Sequence, residues 1–488
     1  MKQPRTIRII SLMTHVVTAV LRNESLTMSG NNVRIEELGG IYVKFLQLIV
    51  LNLDPSNQIG YKQLLNVYEN SHPDPIDIRR YLRFQLKPEH FAKIKTIEPK
   101  PFATGSFGQV YNAWLWDDRP VIVKVLRPSV IRYLKYDLRL LNILSWCYNL
   151  FDRQKMLNFR SMFKDFRRIS LNETDYIREA YVADSYWQDY QNHPHLVIPR
   201  TYMELCAPHV IVQDRIEGVS LTNLLSLQTS GADAAAYCSQ YMQSDLHLLL
   251  KVVGVELFSK ALVGELVQTD PHPGNIIILP GNRVALIDFG MSSALTGNRL
   301  AFYELLVQYQ KFYSGSLAIE EFTLSALKCL APELYTAIEQ VDGLLTQRYS
   351  LSIFDRLRSA VKEFFEDSNE KQAVNQMLEQ KMIMKILFFG INKDNRFGFT
   401  FDLSATSIWK AVQTYFVLVG RFDPSGAPVL QVFNEVIWRA NQNMSQIAGS
   451  PRAEMTPSEA LETLSCWFDK ISRNDPWLMS KLVGGYIK

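Results

Sequence analysis

Residues 268–275 read Gln-Thr-Asp-Pro-His-Pro-Gly-Asn, and Asp-Phe-Gly follows at 288–290. An acid at 270, an amide five positions on at 275 and a second acid thirteen beyond it at 288 restrict what the intervening chain can be. Between them lie two short apolar runs, Ile276-Ile277-Ile278-Leu279 and Val284-Ala285-Leu286-Ile287, on either side of Pro280-Gly281-Asn282. Such runs around a Pro-Gly-Asn turn predict a β-hairpin, which puts Asn275 and Asp288 at its two open ends. The residue types suit phosphoryl transfer. Asp270 can orient the nucleophile or take its proton. The Asn275 amide oxygen and the Asp288 carboxylate can hold Mg²⁺ on the phosphates. Either motif alone arises by chance; both, separated by a hairpin, are a specific signal.

A chain of 488 residues is long for one compact domain and predicts two or three packed units. Its 47% hydrophobic and 21% charged residues are ordinary globular composition. A net charge of +3 gives no reason to expect nucleic acid as a partner. Cysteines stand at 147, 206, 238, 329 and 466 with no C-x-x-C, which argues against a disulfide framework and a structural zinc site and for a reducing compartment. Residues 41–53 are broken by Lys44 and Gln47, and residues 246–267 by Lys251, Glu256, Lys260 and Glu265, so no transmembrane span is expected. The first 22 residues carry Lys2, Arg5, Arg8 and Arg22 and no acid, with Ile9, Met13, Val16, Val17, Val20 and Leu21 on one helical face. Thr14, His15 and Thr18 interrupt that face and no small-x-small site follows, which speaks against a secretory signal. Two readings stay open: a basic amphipathic helix lying on an anionic membrane, or a helix packed on the main body. The expected location is cytoplasmic, with peripheral attachment to a membrane under the first reading.

Residues 1–90 read as helical, with a polar break at 23–32 and a proline-rich one at 71–75. From about 97 the pattern changes to strands. Val110-Tyr111-Asn112-Ala113-Trp114 and Val121-Ile122-Val123-Lys124-Val125 flank the turn Asp117-Asp118-Arg119-Pro120. Helical periodicity returns over 129–185, and Val210-Ile211-Val212 forms a short strand before Glu217-Gly218. Residues 235–267 read as helix, then comes the hairpin, and from 298 nearly everything is helical. Thr456-Pro457-Ser458-Glu459 is a capping box with Pro at the first helical position, and 448–455 before it is the best linker candidate. Strands followed by a helical body with one hairpin site is the order of a two-lobed, protein-kinase-like α+β fold. It has a small β-rich N-lobe, a mainly helical C-lobe and here an N-terminal helical extension. The expected domains are 1–90 for the extension, 91–213 for the N-lobe, 214–320 for the C-lobe with the catalytic motifs, and 321–488 for a further helical body.

Such a fold needs a small-lobe lysine on the α- and β-phosphates and a helix glutamate to hold it. Lys124 stands mid-strand in Val-Ile-Val-Lys-Val, projecting with Ile122 to one face, where its charge needs a partner. The stretch 172–180 reads as one helix and offers Glu173, Asp175 and Glu179. Read alone, Lys124 is an edge-strand lysine and the acids a solvated helix face; the downstream site favours the functional reading. One hairpin earlier stands Ala103-Thr104-Gly105-Ser106-Phe107-Gly108, with two glycines, whose small residues let backbone N–H groups approach phosphate. Ser106 can donate its hydroxyl or serve as a turn residue.

Together these segments resemble the UbiB-type atypical kinase-like family, the AarF-domain or ABC1-type proteins linked to ubiquinone biosynthesis. Residues 38–47, Leu-Gly-Gly-Ile-Tyr-Val-Lys-Phe-Leu-Gln, look like the family's L-G-P-x-x-I-K-x-G-Q signature. Residues 101–110 look like its P-x-A-A-A-S-x-x-Q-V loop, and Val123-Lys124-Val125-Leu126-Arg127-Pro128 like its V-K-V-x-x-P strand end. Glu173-Thr174-Asp175-Tyr176 with Glu179-Ala180 is similar to its E-x-D-[YF]-x-x-E-A helix, and residues 270–275 to its D-P-H-P-G-N loop. The likeness covers about 30–290. It implies that Lys124 and Glu179 form the nucleotide-orienting ion pair, that Asp270 takes the catalytic-loop position, and that Asn275 and Asp288 bind Mg²⁺. It puts Ala103, Thr104, Gly105, Ser106, Lys124 and Gln213 at the ATP. It also implies that Lys44 and Gln47 fold over the cleft, with Lys44 near Glu173 and Asp175, occluding the place of a protein substrate. Only 291–298 separate Asp-Phe-Gly from the next helical pattern, with no A-P-E, so ATP hydrolysis or small-molecule phosphorylation is favoured over protein kinase activity. The expected partners are ATP, an anionic membrane surface and no nucleic acid, with a lipid or quinone-precursor ligand and a homodimer as candidates. Three positions depart from the pattern: Leu46 stands for Gly and would crowd a close helix contact, Gly105 stands in the Ala-rich loop and should loosen the turn, and Gln268 stands where His is common. Two alternatives remain: a small-molecule phosphotransferase of the aminoglycoside-kinase type and a non-enzymatic nucleotide-binding scaffold.

Overall fold

The structure is a computed structural model. It describes residues 5–11, 14, 41–42, 45, 73–151, 159–264, 266–295, 298–314, 316, 319–349, 352–366, 402–448, 455–474 and 476–483. The chain divides into two compact units. The first comprises Met1–Asn192, Val197–Glu217 and Ile287–Met291; the second comprises His193–Leu196, Gly218–Leu286 and Ser292–Lys488. Strand β5 (Leu196–Val197) marks one point where the chain passes between them.

The first unit is built on a five-stranded sheet of β1 (Ile94–Ile97), β2 (Ala103–Thr104), β3 (Gly108–Leu115), β4 (Pro120–Leu126) and β6 (Val210–Asp214). Its order is β1-β3-β4-β6, with β2 on β3. Period-two alternation decides which side chains reach the core. Tyr111, Ala113, Val121, Val123 and Val125 point to one face, where they pack with Ile78 and Leu82 of α1 (Ile78–Gln85) and with Tyr202 and Leu205. A short α2 (Pro88–Phe91) follows α1. Lys124 is thereby directed to the opposite face, opposite Val110 in the β3–β4 register. Helices α3 (Pro128–Phe151), α4 (Phe159–Glu173) and α5 (Tyr176–Tyr190) complete the unit.

The helix expected through 172–180 is broken. Glu173 ends α4, and Asp175 is the N-cap of α5, its carboxylate accepting from Arg178 N at 3.1 Å. An Asx side chain that satisfies an orphan N–H competes with continued helix at its own position. Residues 5–11 are helical and pack on α3. Arg5 pairs with Asp137 at 2.5 Å and lies 4.4 Å from the Tyr133 ring centroid, and Ile9 is fully buried. That part takes the packed reading; Met13, Val16, Val17, Val20 and Leu21 lie outside the described residues.

In the second unit, α6 (Leu221–Thr229) and α7 (Ala234–Met242) lead to α8 (Leu246–Val263), which is buried around most of its circumference. The single helix expected over 235–267 is interrupted at 243–245. Gln243 takes a left-handed φ of 51°, Ser244 donates to Leu279 O, and Asp245 caps α8 by accepting from His247 and Leu248 N. Beyond Val263 the chain turns to strand β8 (Val267–Gln268). The hairpin is present as β9 (Ile276–Leu279) and β10 (Arg283–Leu286), with positive φ at Gly281 and Asn282 in its turn. A short β7 (Val219–Ser220) pairs with β9, and β11 (Ser292–Ser293) pairs with β8. Helices α9 (Arg299–Tyr313), α10 (Ile319–Leu330), α11 (Pro332–Tyr349), α12 (Ile353–Glu366), α13 (Leu403–Phe422), α14 (Ala427–Gln442), α15 (Met444–Ala448), α16 (Pro457–Asn474) and α17 (Pro476–Val483) form the rest. The α8 helix packs along α14, where Arg439 reaches Glu256 at 2.8 Å. The capping box forms as read: Thr456 N donates to Glu459 Oε2 at 2.8 Å, and Glu459 N to Thr456 Oγ at 3.3 Å. Among the described residues no helix is long and apolar enough to cross a membrane.

Candidate active site

In the first unit the site centres on Lys124. Its Nζ lies 2.6 Å from Glu179 Oε1 and 3.5 Å from Asp288 Oδ2. The lysine comes from β4 and the glutamate from the first turn of α5, placed there by the Asp175 cap. The second carboxylate comes from the returning segment Ile287–Met291. Phe289 is fully buried, its ring 4.8 Å from that of Tyr186 on α5. Gly290 N donates to Asp288 Oδ1 at 3.0 Å. A Cβ on Gly290 would sit 3.2 Å from Glu179 Oε2, so a side chain there would press on the ion pair.

Burial alone would lower the Lys124 pKa, but the charges of Asp288 and Glu179 outweigh it and hold the ammonium well above its ordinary value. Glu179 is pushed up to about 7: burial disfavours its charge, and Lys124 offsets only part of that cost. Asp288 is the outward member, with its side chain 39% exposed against 4% for Glu179. It is the carboxylate a metal–phosphate ligand can reach.

The turn before β3 is held from behind. Gly105 N donates to Gly108 O and Phe102 N to Val110 O, each at 2.9 Å, closing the β2–β3 connection. Arg127, at the end of β4, donates to Gly105 O at 3.3 Å through its side chain and to Phe107 O at 2.9 Å through its N–H. Asp74 fixes that guanidinium at 2.8 Å and accepts from Ser129 N at the start of α3. Gln109, fully buried, accepts from Asp74 N and donates to Asp74 O. Ser106 is buried with no hydrogen-bond partner for its hydroxyl among the described residues, Thr104 is half-buried, and Ala103 is exposed.

In the second unit the loop 268–275 is tied to itself. Asn275 Nδ2 donates to Asp270 O at 3.2 Å and to Asp270 Oδ2 at 3.4 Å. Gln268, buried in β8, donates to Asp270 O at 2.6 Å. The amide at 268 thus braces the backbone of the acid. His272 caps the short turn Pro273–Asn275, accepting from Gly274 N at 3.1 Å. The hairpin register closes on Leu286↔Ile276, so Asn275 immediately precedes it and Asp288 follows it by two residues along the chain.

The remaining sequence-derived residues fall as follows. Gln213 pairs with Ile122 across β6 and β4, and its side chain is committed to Thr201 Oγ at 3.0 Å. Glu173 closes α4 and Asp175 caps α5, so of the three acids it is Glu179 that meets Lys124. Lys44, Leu46 and Gln47 lie outside the described residues. Sequence reasoning assigned no role to Asp74, Gln109, Arg127 or Tyr176. Gln109, Arg127 and Tyr176 stood inside the quoted motifs, but their partners are tens of residues away and no spacing rule reaches them.

A metal ion that organises phosphates calls for hard oxygen donors. The side chains present, a carboxylate at 288 and an amide oxygen at 275, are of that kind, and Mg²⁺ typically takes one or two carboxylates together with substrate phosphates.

A sheet carrying a Lys–Glu pair, an Asp-Phe-Gly segment and a helical unit with an Asp-x-x-x-x-Asn loop define a kinase-like α+β protein. Comparison with known proteins gives the family. The model of the ABC1 atypical kinase-like domain matches residues 74–313. An uncharacterized Synechocystis protein is 26% identical over 300 residues, 60% of this chain and 42% of that protein. The chloroplastic Protein ACTIVITY OF BC1 COMPLEX KINASE 1 of Arabidopsis thaliana is 30% identical over 266 residues, 53% of this chain and 37% of its own. A probable protein kinase UbiB of Pseudomonas fluorescens is 28% identical over 269 residues, 54% and 48% of the two chains. The matched part is less than half the length of each of these relatives. Over residues 74–313 the chain belongs to the UbiB/ABC1-type atypical kinase-like family.

Proposed function

We propose that this chain is an Mg²⁺-dependent, ATP-binding atypical kinase or ATPase that works at an anionic membrane surface in support of prenyl-quinone biosynthesis. One observation carries the catalytic part: Lys124 is held between a buried and a more exposed carboxylate, at 2.6 Å from Glu179 and 3.5 Å from Asp288. Glu179 fixes the ammonium where α- and β-phosphates would pair with it. Asp288 can exchange its contact with Lys124 for a metal ion, and Asn275 would share that ion. Bound Mg²⁺ would neutralise charge developing on the transferred group. Asp270 takes the position that orients the acceptor, its loop braced by Gln268 and Asn275.

The short link from Asp-Phe-Gly to α9 supports water or a small molecule as acceptor. Residues 292–293 already pair with β8 and α9 begins at Arg299, so little chain is left to present a peptide. The same link favours, as the second reading, phosphorylation of a small molecule rather than net hydrolysis. The membrane and quinone parts rest on the family resemblance, since residues 5–11 of the basic N-terminal segment pack on α3.

The test is ATP turnover by wild type and Asp288→Asn, with and without anionic liposomes and a quinone-precursor mimic. Mg²⁺-dependent ADP release that is lost in Asp288→Asn and raised by liposomes is expected. Equal turnover in the two proteins would sink the enzymatic reading. Turnover indifferent to lipid would remove the membrane part, and a phosphorylated mimic would select the small-molecule kinase.

A further inference from the structure

Tyr176, the first residue of α5, lies one helical turn before Glu179. It is 1% exposed, and its hydroxyl has no hydrogen-bond partner among the described residues. The surroundings of that hydroxyl are specific. Lys124 Nζ lies 5.2 Å from the ring centroid, within cation–π range. At the other end of the ring, the hydroxyl oxygen sits 2.5 Å from where a Cβ of Gly108 would be. Strand alternation puts Gly108 and Val110 on one face of β3, and Val110 is opposite Lys124 on β4. The phenol therefore fills the space between the lysine and the first residue after the Gly105-Ser106-Phe107 turn. Both neighbours are groups that handle phosphate in a kinase-like site.

A phenylalanine would fill the same volume and give the lysine the same ring face. The hydroxyl adds an unsatisfied buried polar atom, which costs stability, and such groups call for an explanation. Burial raises the phenol's pKa, so it stays a protonated donor at neutral pH.

We propose that the Tyr176 hydroxyl donates a hydrogen bond to a phosphate oxygen of the nucleotide held by Lys124, and that Gly108 is glycine to leave that hydroxyl its place. This rests on the ATP-binding reading above and deepens it. Tyr176 is then a phosphate-binding residue rather than a filler of the α5–sheet contact.

The experiment uses the full chain, with calorimetric titration of Mg-ADP and thermal unfolding of the unliganded protein. Tyr176→Phe is expected to bind Mg-ADP about tenfold more weakly, while its ligand-free Tm stays the same or rises, because an unsatisfied donor has been removed. Unchanged affinity overturns the proposal. A fall in ligand-free Tm alongside weaker binding also overturns it, since that marks a packing role. Gly108→Ala alone should bind poorly, because its Cβ meets the hydroxyl. Adding Tyr176→Phe should restore binding to the level of the single Phe variant, since the next ring atom is 3.8 Å away. No recovery in the double variant would refute the placement of the hydroxyl. Wild type that fails to bind Mg-ADP would instead refute the nucleotide reading beneath the proposal.

Discussion

Lys124 and Glu179 carry opposite charges, yet each has a pKa above its ordinary value, which gives the pair a direction with pH. Glu179 is pushed up to about 7, first by burial. A folded-state pKa raised above the unfolded one means that the folded protein holds the proton longer. The stability from protonated Glu179 is complete below the unfolded pKa of about 4.5. It is lost as pH rises through about 7. Lys124 is raised well above its ordinary value, so it stays charged across that window and adds no slope. The ionised Glu179 that stability disfavours is the form that clamps Lys124 for phosphate. ATP turnover should therefore rise through pH 7 while the Glu179 contribution to stability falls. Unfolding free energies and turnover measured from pH 5 to 8.5 check this against Glu179→Gln, which should lose both trends. A turnover profile in Glu179→Gln that keeps the wild-type rise would show that another group titrates. These charged residues were legible in the sequence because the motifs that hold them have fixed residue types. Tyr176 and Gly108 were not, because their relation is a clash distance across two elements 68 positions apart in sequence.

Among the elements, the turn over the phosphate position depends on an anchor at the far end of β4. Arg127 holds Gly105 O and Phe107 O, and Asp74 holds Arg127 and the first turn of α3. Burial alone would raise the Asp74 carboxyl, but bonds from Ser129 and the charge of Arg127 take it below its usual value. Both side chains are largely buried, 8% exposed for Arg127 and 13% for Asp74. Removing one partner then strands a buried charge, at a cost of about 3 kcal/mol. Asp74→Ala should lose that much in urea unfolding and also weaken Mg-ADP binding, because Gly105 loses its tether. Loss of stability with unchanged affinity would mean that the turn is set by β2 and β3 alone. The elements also show what the residue pattern could and could not announce. The start of α16 was readable because Thr456 and Glu459 form a reciprocal capping box, and both bonds are present. The start of α5 was not, because Asp175 is followed three residues on by Arg178, so one half of the box is missing and the helical periodicity runs on. The break before α8 was hidden in the same way: Asp245 caps it alone, and Ser244 is held by Leu279, a hairpin residue 35 positions away.

At the scale of the whole molecule, the two-unit kinase-like plan followed from the order of strands and helices and from one hairpin, whereas the packing of α9 to α17 did not. Amphipathic helices of similar length have many near-equivalent partners, and the choice is made by single contacts such as Arg439 with Glu256 or Asp342 accepting from Ser352 and Phe354 N at the start of α12. The residues that the proposed function draws on belong to both units: Lys124, Glu179 and Asp288 to the first, Asp270 and Asn275 to the second. A ligand that binds the folded chain stabilises it by mass action, by about 2.7 kcal/mol at a hundredfold excess over its Kd. Much of that should require the metal. Asp288 lies 3.5 Å from Lys124, where its charge would compete with phosphate for the ammonium. A metal ion held by that carboxylate would weaken the contact and leave the lysine to the phosphates. ADP in the presence of Mg²⁺ should therefore raise Tm clearly, ADP with EDTA should raise it little, and Asn275→Ala and Asp288→Asn should each shrink the Mg²⁺-dependent part. Under the proposed function the two substitutions should not add, because each would remove a ligand of the same ion and residues that act as a unit are strongly non-additive. Thermal scans of the four proteins (wild type, each single variant and the double) decide it. A shift of the same size with EDTA as with Mg²⁺ would take the metal out of the site, and fully additive losses would mean that Asn275 and Asp288 serve different ligands.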